Sequence, residues 1–393
     1  MVRNGRAQKG RLGVTFVLVA APSLITLIPM ATSSAMPSIA SRFGGSEDGI
    51  FLAQFVMTCP ALMLAIGAVA FGYLSEKFGR RRCLLSLLVA FAVFGVAGAV
   101  APDAVILIAT RLVLGGVGGG ILTVSMALAG QYRRGGEREQ LLGMVGAGEA
   151  SLAMVALVMA GVLVDCGGWR APFTLYLSAL VVWVVAICAL DEDDVRDHVE
   201  HKPTRPFEPQ IILYVLTGGL GIALFVPGVQ GPFLLEDLGI SSATSRSVIV
   251  ASSSLAAAIA GILYSRVRCL VDPLPLLAVA ALMLGGGTAA MGMAPSAGLA
   301  TGGALVVGFG AGLVGPVAST IVLGRAGEAH LGRAAGYLIG SVFLGEFFNP
   351  LFLGPLRGKY GAPDMFVIVG TSFVMLALIM VMYSGRPTDQ APG

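Results

Sequence analysis

The stretch "GMVGAGEASLAMVALVMAGVLV", Gly143 to Val164, holds a single charged residue, Glu149, in a run otherwise free of Asp, Glu, Lys and Arg. A hydrocarbon core about 30 Å thick is crossed by roughly 20 mostly apolar residues at helical rise. The run therefore reads as a membrane span, and it raises the question of why a carboxylate is kept inside it. Glu149 lies ten residues past Glu139, about 15 Å along a helix and so near the midplane. An ionised acid at that depth costs at least ~2.5 to 3.5 kcal/mol. Such a group pairs, hydrates or takes up a proton.

The rest of the chain is of the same kind. Its 393 residues are 56% hydrophobic and 12% charged, with a mean hydropathy of +0.87, whereas a soluble domain carries about a quarter charged residues. Runs of spanning length lie near residues 12–36, 49–74, 82–101, 104–131, 140–165, 172–190, 211–235, 246–265, 273–294, 298–324, 334–356 and 364–383. The expected fold is an all-α membrane protein with twelve transmembrane helices, spans 1 to 12. The first run is about twice as long as a secretory h-region and is read as a retained span. With the N-terminus inside, the Lys and Arg residues of the outer loops are Arg42, Arg170, Arg246, Arg357 and Lys359; Arg111 lies within span 4, and the rest of the 25 fall inside. This bias places both termini in the cytoplasm of a multi-pass inner-membrane protein. The net charge of +3 then reflects loop bias and not a nucleic-acid surface. Cys59, Cys83, Cys166, Cys188 and Cys269 form no C-x-x-C pair, and His198, His201 and His330 all fall in cytoplasmic loops. Neither a metal site nor a bound cofactor is expected.

The longest polar break, "DEDDVRDHVEHKPTRPFEPQ" (Asp191 to Gln210), separates six spans from six. Its mixed charges read as a solvated linker. The expected organisation is a six-helix bundle over 1–190, a cytoplasmic linker over 191–210 and a second six-helix bundle over 211–393. Duplicated halves are a common transporter plan, and the opening stretch has an echo. "GMVGAGE" (Gly143 to Glu149) in span 5 and "GSVFLGE" (Gly340 to Glu346) in span 11 both read G-x-x-x-x-G-E. A weaker echo pairs "GWRAPF" (Gly168 to Phe173) with "YGAPDMF" (Tyr360 to Phe366).

Between spans 2 and 3 stands "GYLSEKFGRRR", Gly72 to Arg82; span 4 contains "RLVLGGVGGG" from Arg111, and span 5 runs into "GVLVDCGGWRAPF". Together with the twelve spans, these resemble the major facilitator superfamily, most closely its bacterial drug/proton antiporters. That resemblance implies two pseudo-symmetric bundles and alternating access. Against the family's loop pattern G-x-L-A-D-R-x-G-R-K, Gly72, Leu74, Gly79 and Arg80 match, and Glu76 replaces the aspartate. The resemblance makes Gly72, Glu76, Gly79 and Arg80 a cytoplasmic gating loop. On physical grounds the glycines permit a turn at positive φ and Glu76 can accept hydrogen bonds at a helix start. Arg111 matches the arginine of the family's R-x-x-Q-G, with Leu114 in place of the glutamine, which implies a partner for a protonatable group. An arginine at depth faces a bundle interior or a wet cavity. The chain departs from the family in offering only Ser33 and Ser34 where many antiporters have an acid in span 1, and Ala156 and Leu157 where the signature has Gly-Pro.

Glu149, Glu346 and Arg111 are thus candidates for proton coupling. Each glutamate has two readings: proton exchange as a central cavity alternates its access, or a hydrogen bond between helices worth about 0.6 to 2 kcal/mol. Gln54, Asn349, Phe347 and Met154 are candidates for a substrate cavity, polar groups to orient a ligand and adaptable apolar ones to surround it; each could instead serve packing. The expectation is a monomeric secondary transporter, not an enzyme, that exports small organic or drug-like molecules against protons. Facilitated movement or import of a metabolite is the alternative, as is a non-transporting receptor on the same fold.

Overall fold

The computed structural model describes residues 2–45, 47–132, 136–190, 209–326 and 331–384. All regular structure among them is helical, as hydrocarbon demands, because a lipid-exposed backbone must satisfy its own N–H and C=O groups. Among the described residues, twelve helices are long and apolar enough to cross a membrane. Spans 1 to 6 are Leu12–Ser33, Glu47–Phe78, Arg80–Val100, Ala104–Ala129, Gly143–Gly167 and Ala171–Ala189; spans 7 to 12 are Ile211–Val229, Ala243–Tyr264, Pro273–Gly292, Ala297–Val322, Arg333–Tyr360 and Ala362–Met382.

The chain forms two compact units, Met1–Val199 with Ser241–Val248, and Glu200–Ile240 with Ile249–Gly393. Residues 191–208 of the expected linker lie outside the described residues. The first turns of span 8 group with the first unit for a visible reason. Asp165, at the end of span 5, accepts hydrogen bonds from the backbone N–H groups of Ala243 (2.8 Å) and Thr244 (2.9 Å) and from the hydroxyls of Ser242 (2.8 Å) and Thr244 (2.6 Å). A carboxylate on the open N–H groups of a helix start is favourable on both hydrogen-bonding and dipole grounds. Ser34 adds a 2.7 Å bond to Ser247 and a 3.1 Å bond to Leu157 O.

In the first unit, span 4 lies backbone-to-backbone on span 2. A Cβ on Gly67, Gly115 or Gly119 would overlap the main chain of Gly116, Pro60 or Leu64 respectively. In the second unit, Gly308 and Gly312 of span 10 meet the main chain of Ser253 and Ala257 in span 8 in the same way. The glycine-rich strings of spans 4 and 10 therefore exist for close approach, which in lipid supplies the van der Waals contact that association needs. Around these seams lie the fully buried Met57, Leu84 and Leu114 of the first unit and Leu277, Val314 and Phe366 of the second.

Prolines break the spans that open each unit. Span 1 is helical to Ser23, passes through a 3-10 turn at Leu24–Thr26 and resumes as Leu27–Ser33; Pro22 stands at the break. Span 7 carries Pro227, ends at Val229 and is followed through Gln230 by the helix Gly231–Asp237. Proline removes one helical hydrogen bond and crowds the carbonyl four residues back. Gly79, at φ +92°, alone joins span 2 to span 3.

Gly119→Leu, driven into the main chain of span 2, is expected to destabilise by several kcal/mol, at or above the usual ~1 to 3 kcal/mol of overpacking. Gly143→Leu, whose Cβ would meet nothing within 4 Å, leaves stability unchanged. Thermal unfolding and monodispersity of the two purified variants in detergent check the contrast.

Candidate functional site

The two G-x-x-x-x-G-E stretches correspond in structure as well as in sequence. The first glycine of each, Gly143 or Gly340, has open space where a side chain would be. The second faces the broken span of its own unit. A Cβ on Gly148 would lie 2.9 Å from both Ser23 Oγ and Val19 Cγ1 of span 1, and one on Gly345 would overlap Gly218 O and lie 2.8 Å from Ile222 N of span 7. The glutamate that follows is turned about 100° around its helix from that contact. Glu149 is half-buried, and Glu346 is only 3% exposed. Neither carboxyl has a hydrogen bond or ion pair among the described residues, so neither is engaged in the interhelical bond that a purely packing role would supply.

Span 11 nevertheless makes polar contact with span 7 on either side of Glu346. Thr217 and Ser341 are bonded at 2.7 Å. One turn beyond Glu346, the Asn349 amide donates to Ile222 O (2.9 Å) and its carbonyl accepts from Gln230 Nε2 (3.0 Å). Gln230 occupies the break of span 7, next to the turn where Pro227 withholds a hydrogen bond, and Asn349 and Gln230 are both fully buried. Both ends of the Asn349 amide are thus bonded to span 7 and the residue that follows it. Phe347, half-buried, meets Phe348 edge to face at 5.4 Å between centroids. In the first unit, Met154 is half-buried, and Gln54 is fully buried with its main-chain carbonyl accepting from Thr58 Oγ1 (3.1 Å).

Arg111 is fully buried in the first unit. Its Nη2 donates to Gly95 O (2.9 Å) and Phe94 O (3.4 Å) at the end of span 3, and its Nη1 donates to the Tyr176 hydroxyl (3.1 Å) of span 6. The guanidinium also lies over the rings of Phe173 (4.7 Å) and Tyr176 (5.3 Å). No bond joins it to Glu149, and among the described residues it has no acidic partner. Its charge is met by carbonyls, a phenol and ring faces, each a favourable but partial match. Gly98 makes room, since a Cβ there would overlap the guanidinium.

In the loop after span 2, Gly72 lies against span 4, where its Cβ would stand 3.4 Å from Thr123, and its carbonyl accepts from Ser75 Oγ (2.8 Å). Glu76 is exposed. Arg80 donates to Ala127 O (3.0 Å) of span 4. Arg81 donates to Leu190 O (2.9 Å) and Ile187 O (3.1 Å), placing a cation on the carbonyl end of span 6, the favourable end for positive charge. Sequence reading passed over this capping role, and also over Asp165, Gln230 and Tyr176. A tyrosine in the apolar run "TLYL" was a signal for the last, because a buried phenol normally finds a partner. Among the described residues no group of three or more His, Cys, Asp or Glu is placed to hold a metal.

The profile described as Major Facilitator Superfamily matches residues 18–218. A puromycin resistance protein of Streptomyces alboniger is 29% identical over 184 residues, covering 46% of this chain and 35% of that protein. A multidrug resistance protein B homolog of Mycobacterium tuberculosis is 28% identical over 269 residues, covering 66% of this chain and 45% of its own length. The chain thus spans less than half the length of these relatives. The crystal structure of a bacterial homolog of the human lysosomal transporter Spinster superposes with a TM-score of 0.78 at 15% identity, covering 98% of this chain and 99% of that one; at this identity the likeness is one of fold.

Asn349→Ala removes two buried hydrogen bonds, those to Gln230 and to Ile222 O, and is expected to destabilise by about 1 to 2 kcal/mol, while Ser341→Ala, which removes one hydroxyl pair, costs about 0.6 kcal/mol. Thermal midpoints of the purified variants, compared under one detergent condition, test that order.

Proposed function

Because this chain belongs to the Major Facilitator Superfamily, we propose that it is a secondary active transporter which exports small organic or drug-like molecules by alternating access, driven by proton entry. One observation carries the proton part of this reading. In each unit a glutamate follows the glycine that packs on the unit's broken span, and that glutamate has no partner among the described residues. A buried carboxyl with nothing to pair with is held at lowest cost as the neutral acid, and gives up its proton when water or a cation reaches it. Glu149, the more accessible of the two, is the leading proton carrier, and Glu346 is its counterpart. Gln54, Met154 and Phe347 contribute to the substrate cavity. Gly72, Glu76, Gly79 and Arg80 form the cytoplasmic gating loop, with Arg80 anchored on span 4. The drug-resistance names of the two relatives support the substrate class and the outward direction. In this reading the protein acts as a monomer in the inner membrane with both termini in the cytoplasm.

A drug-sensitive strain expressing the chain is expected to gain resistance within a panel that includes puromycin and ethidium, and to lose it when a proton uncoupler is added. In everted vesicles, Glu149→Gln is expected to lower proton-driven uptake of the affected compound about tenfold or more, equivalent to at least 1.4 kcal/mol of barrier. Glu346→Gln reduces it too. Transport that ignores both the uncoupler and the double substitution excludes proton coupling through these acids and leaves facilitated movement.

A further inference from the structure

Arg111 and Glu149 are not bonded, yet contacts inside the first unit lead from Arg111 to span 1 and from span 1 to Gly148, the residue before Glu149. Arg111 Nη1 donates to the Tyr176 hydroxyl at 3.1 Å, and that hydroxyl donates to the adjacent carbonyls of Leu27 (3.2 Å) and Ile28 (3.3 Å) in span 1. Leu27 is the first residue after the 3-10 turn Leu24–Thr26. Immediately before that turn, Ser23 lies against Gly148, closely enough that a Cβ on Gly148 would be 2.9 Å from Ser23 Oγ. Glu149 is the next residue. The Tyr176 ring is itself fixed, edge-on to Phe91 at 5.5 Å and stacked on Phe173 at 6.4 Å, with Gly95 leaving it room. Tyr176 is fully buried.

A guanidinium can influence a carboxyl through its field or through the scaffold. Here its Nη donors go to the Phe94 and Gly95 carbonyls and to Tyr176, while its buried Nε has no hydrogen-bond partner among the described residues, and the atoms that reach span 1 are those of the phenol. A break in a helix is the place where such a bond has leverage, because the main chain there lacks part of its own ladder. We infer that Arg111 is a positioning residue: through the Tyr176 hydroxyl it sets the bend of span 1 at Leu24–Thr26, and thereby the wall of span 1 on which Gly148, the chain neighbour of Glu149, is packed. The inference rests on the proton-carrying reading of Glu149. It removes Arg111 from the path of the proton and makes Tyr176 the link.

The test needs no substrate. Dicyclohexylcarbodiimide couples to protonated carboxyls in apolar surroundings, and its rate of attachment at Glu149 relative to Glu346 in the full chain, reconstituted in lipid nanodiscs, is read by mass spectrometry. Glu346, in the other unit, is the internal reference, so a general loosening of the fold cancels. Tyr176→Phe keeps the ring and the arginine but removes the hydroxyl, and is expected to raise the Glu149 to Glu346 ratio about three- to tenfold, the weight of one hydrogen bond. Arg111→Met raises it by a similar factor, and the double variant by no more than either alone. Should Tyr176→Phe not fold, Gly148→Ala, which presses on Ser23 from the far end, must raise the ratio instead. An unchanged ratio in the folded Tyr176→Phe protein, or effects of the two substitutions that multiply, overturns the inference and leaves the reading of Glu149 standing. Absence of labelling at Glu149 in the unaltered protein defeats that reading, and this inference with it.

Discussion

Contact between main chains at glycine is the interaction on which the rest of this structure depends. In lipid the apolar side chains gain little by leaving their surroundings for one another, so helices associate through close packing and buried hydrogen bonds. Spans 2 and 4 meet where Gly67, Gly115 and Gly119 have no side chain, and spans 8 and 10 meet at Gly308 and Gly312. These seams bring backbones to a distance that any Cβ would forbid.

Against that frame of close-packed helices, polar groups concentrate where the backbone is broken. Asn349 and Gln230 meet at the end of span 7 beyond Pro227, and Tyr176 reaches the carbonyls that follow the 3-10 turn of span 1. A broken helix exposes groups that hydrocarbon cannot solvate, so a buried amide or phenol there meets a need that an intact helix would not have. The two glutamates differ from these residues. Each follows a glycine packed on span 1 or span 7 and has no hydrogen bond or ion pair among the described residues.

Arg111 shows how the same residue type can be put to a different use by its surroundings. Buried without an acid, it is shared among two carbonyls, a phenol and two ring faces. It ties together spans 3, 4 and 6, and through Tyr176 it touches span 1. Arginine suits this task because its planar fork directs several donors at once and stacks on aromatic faces.

Hydropathy was enough to give, from the sequence, an all-helical chain with twelve spans among the described residues, with an acid inside each of spans 5 and 11. These properties follow from the length of a span and the cost of charge in lipid, both of which act on consecutive residues and so are written in consecutive letters. The tertiary structure alone decided the partners. Asp165 caps a helix start 77 residues further along, Asn349 bonds Gln230 across 119 positions, and the Nη groups of Arg111 donate to a tyrosine and two carbonyls in place of a carboxylate. A hydrogen bond is specified by where two helices happen to cross, and that crossing is set by many small contacts spread over distant parts of the chain. No local pattern of residues records it.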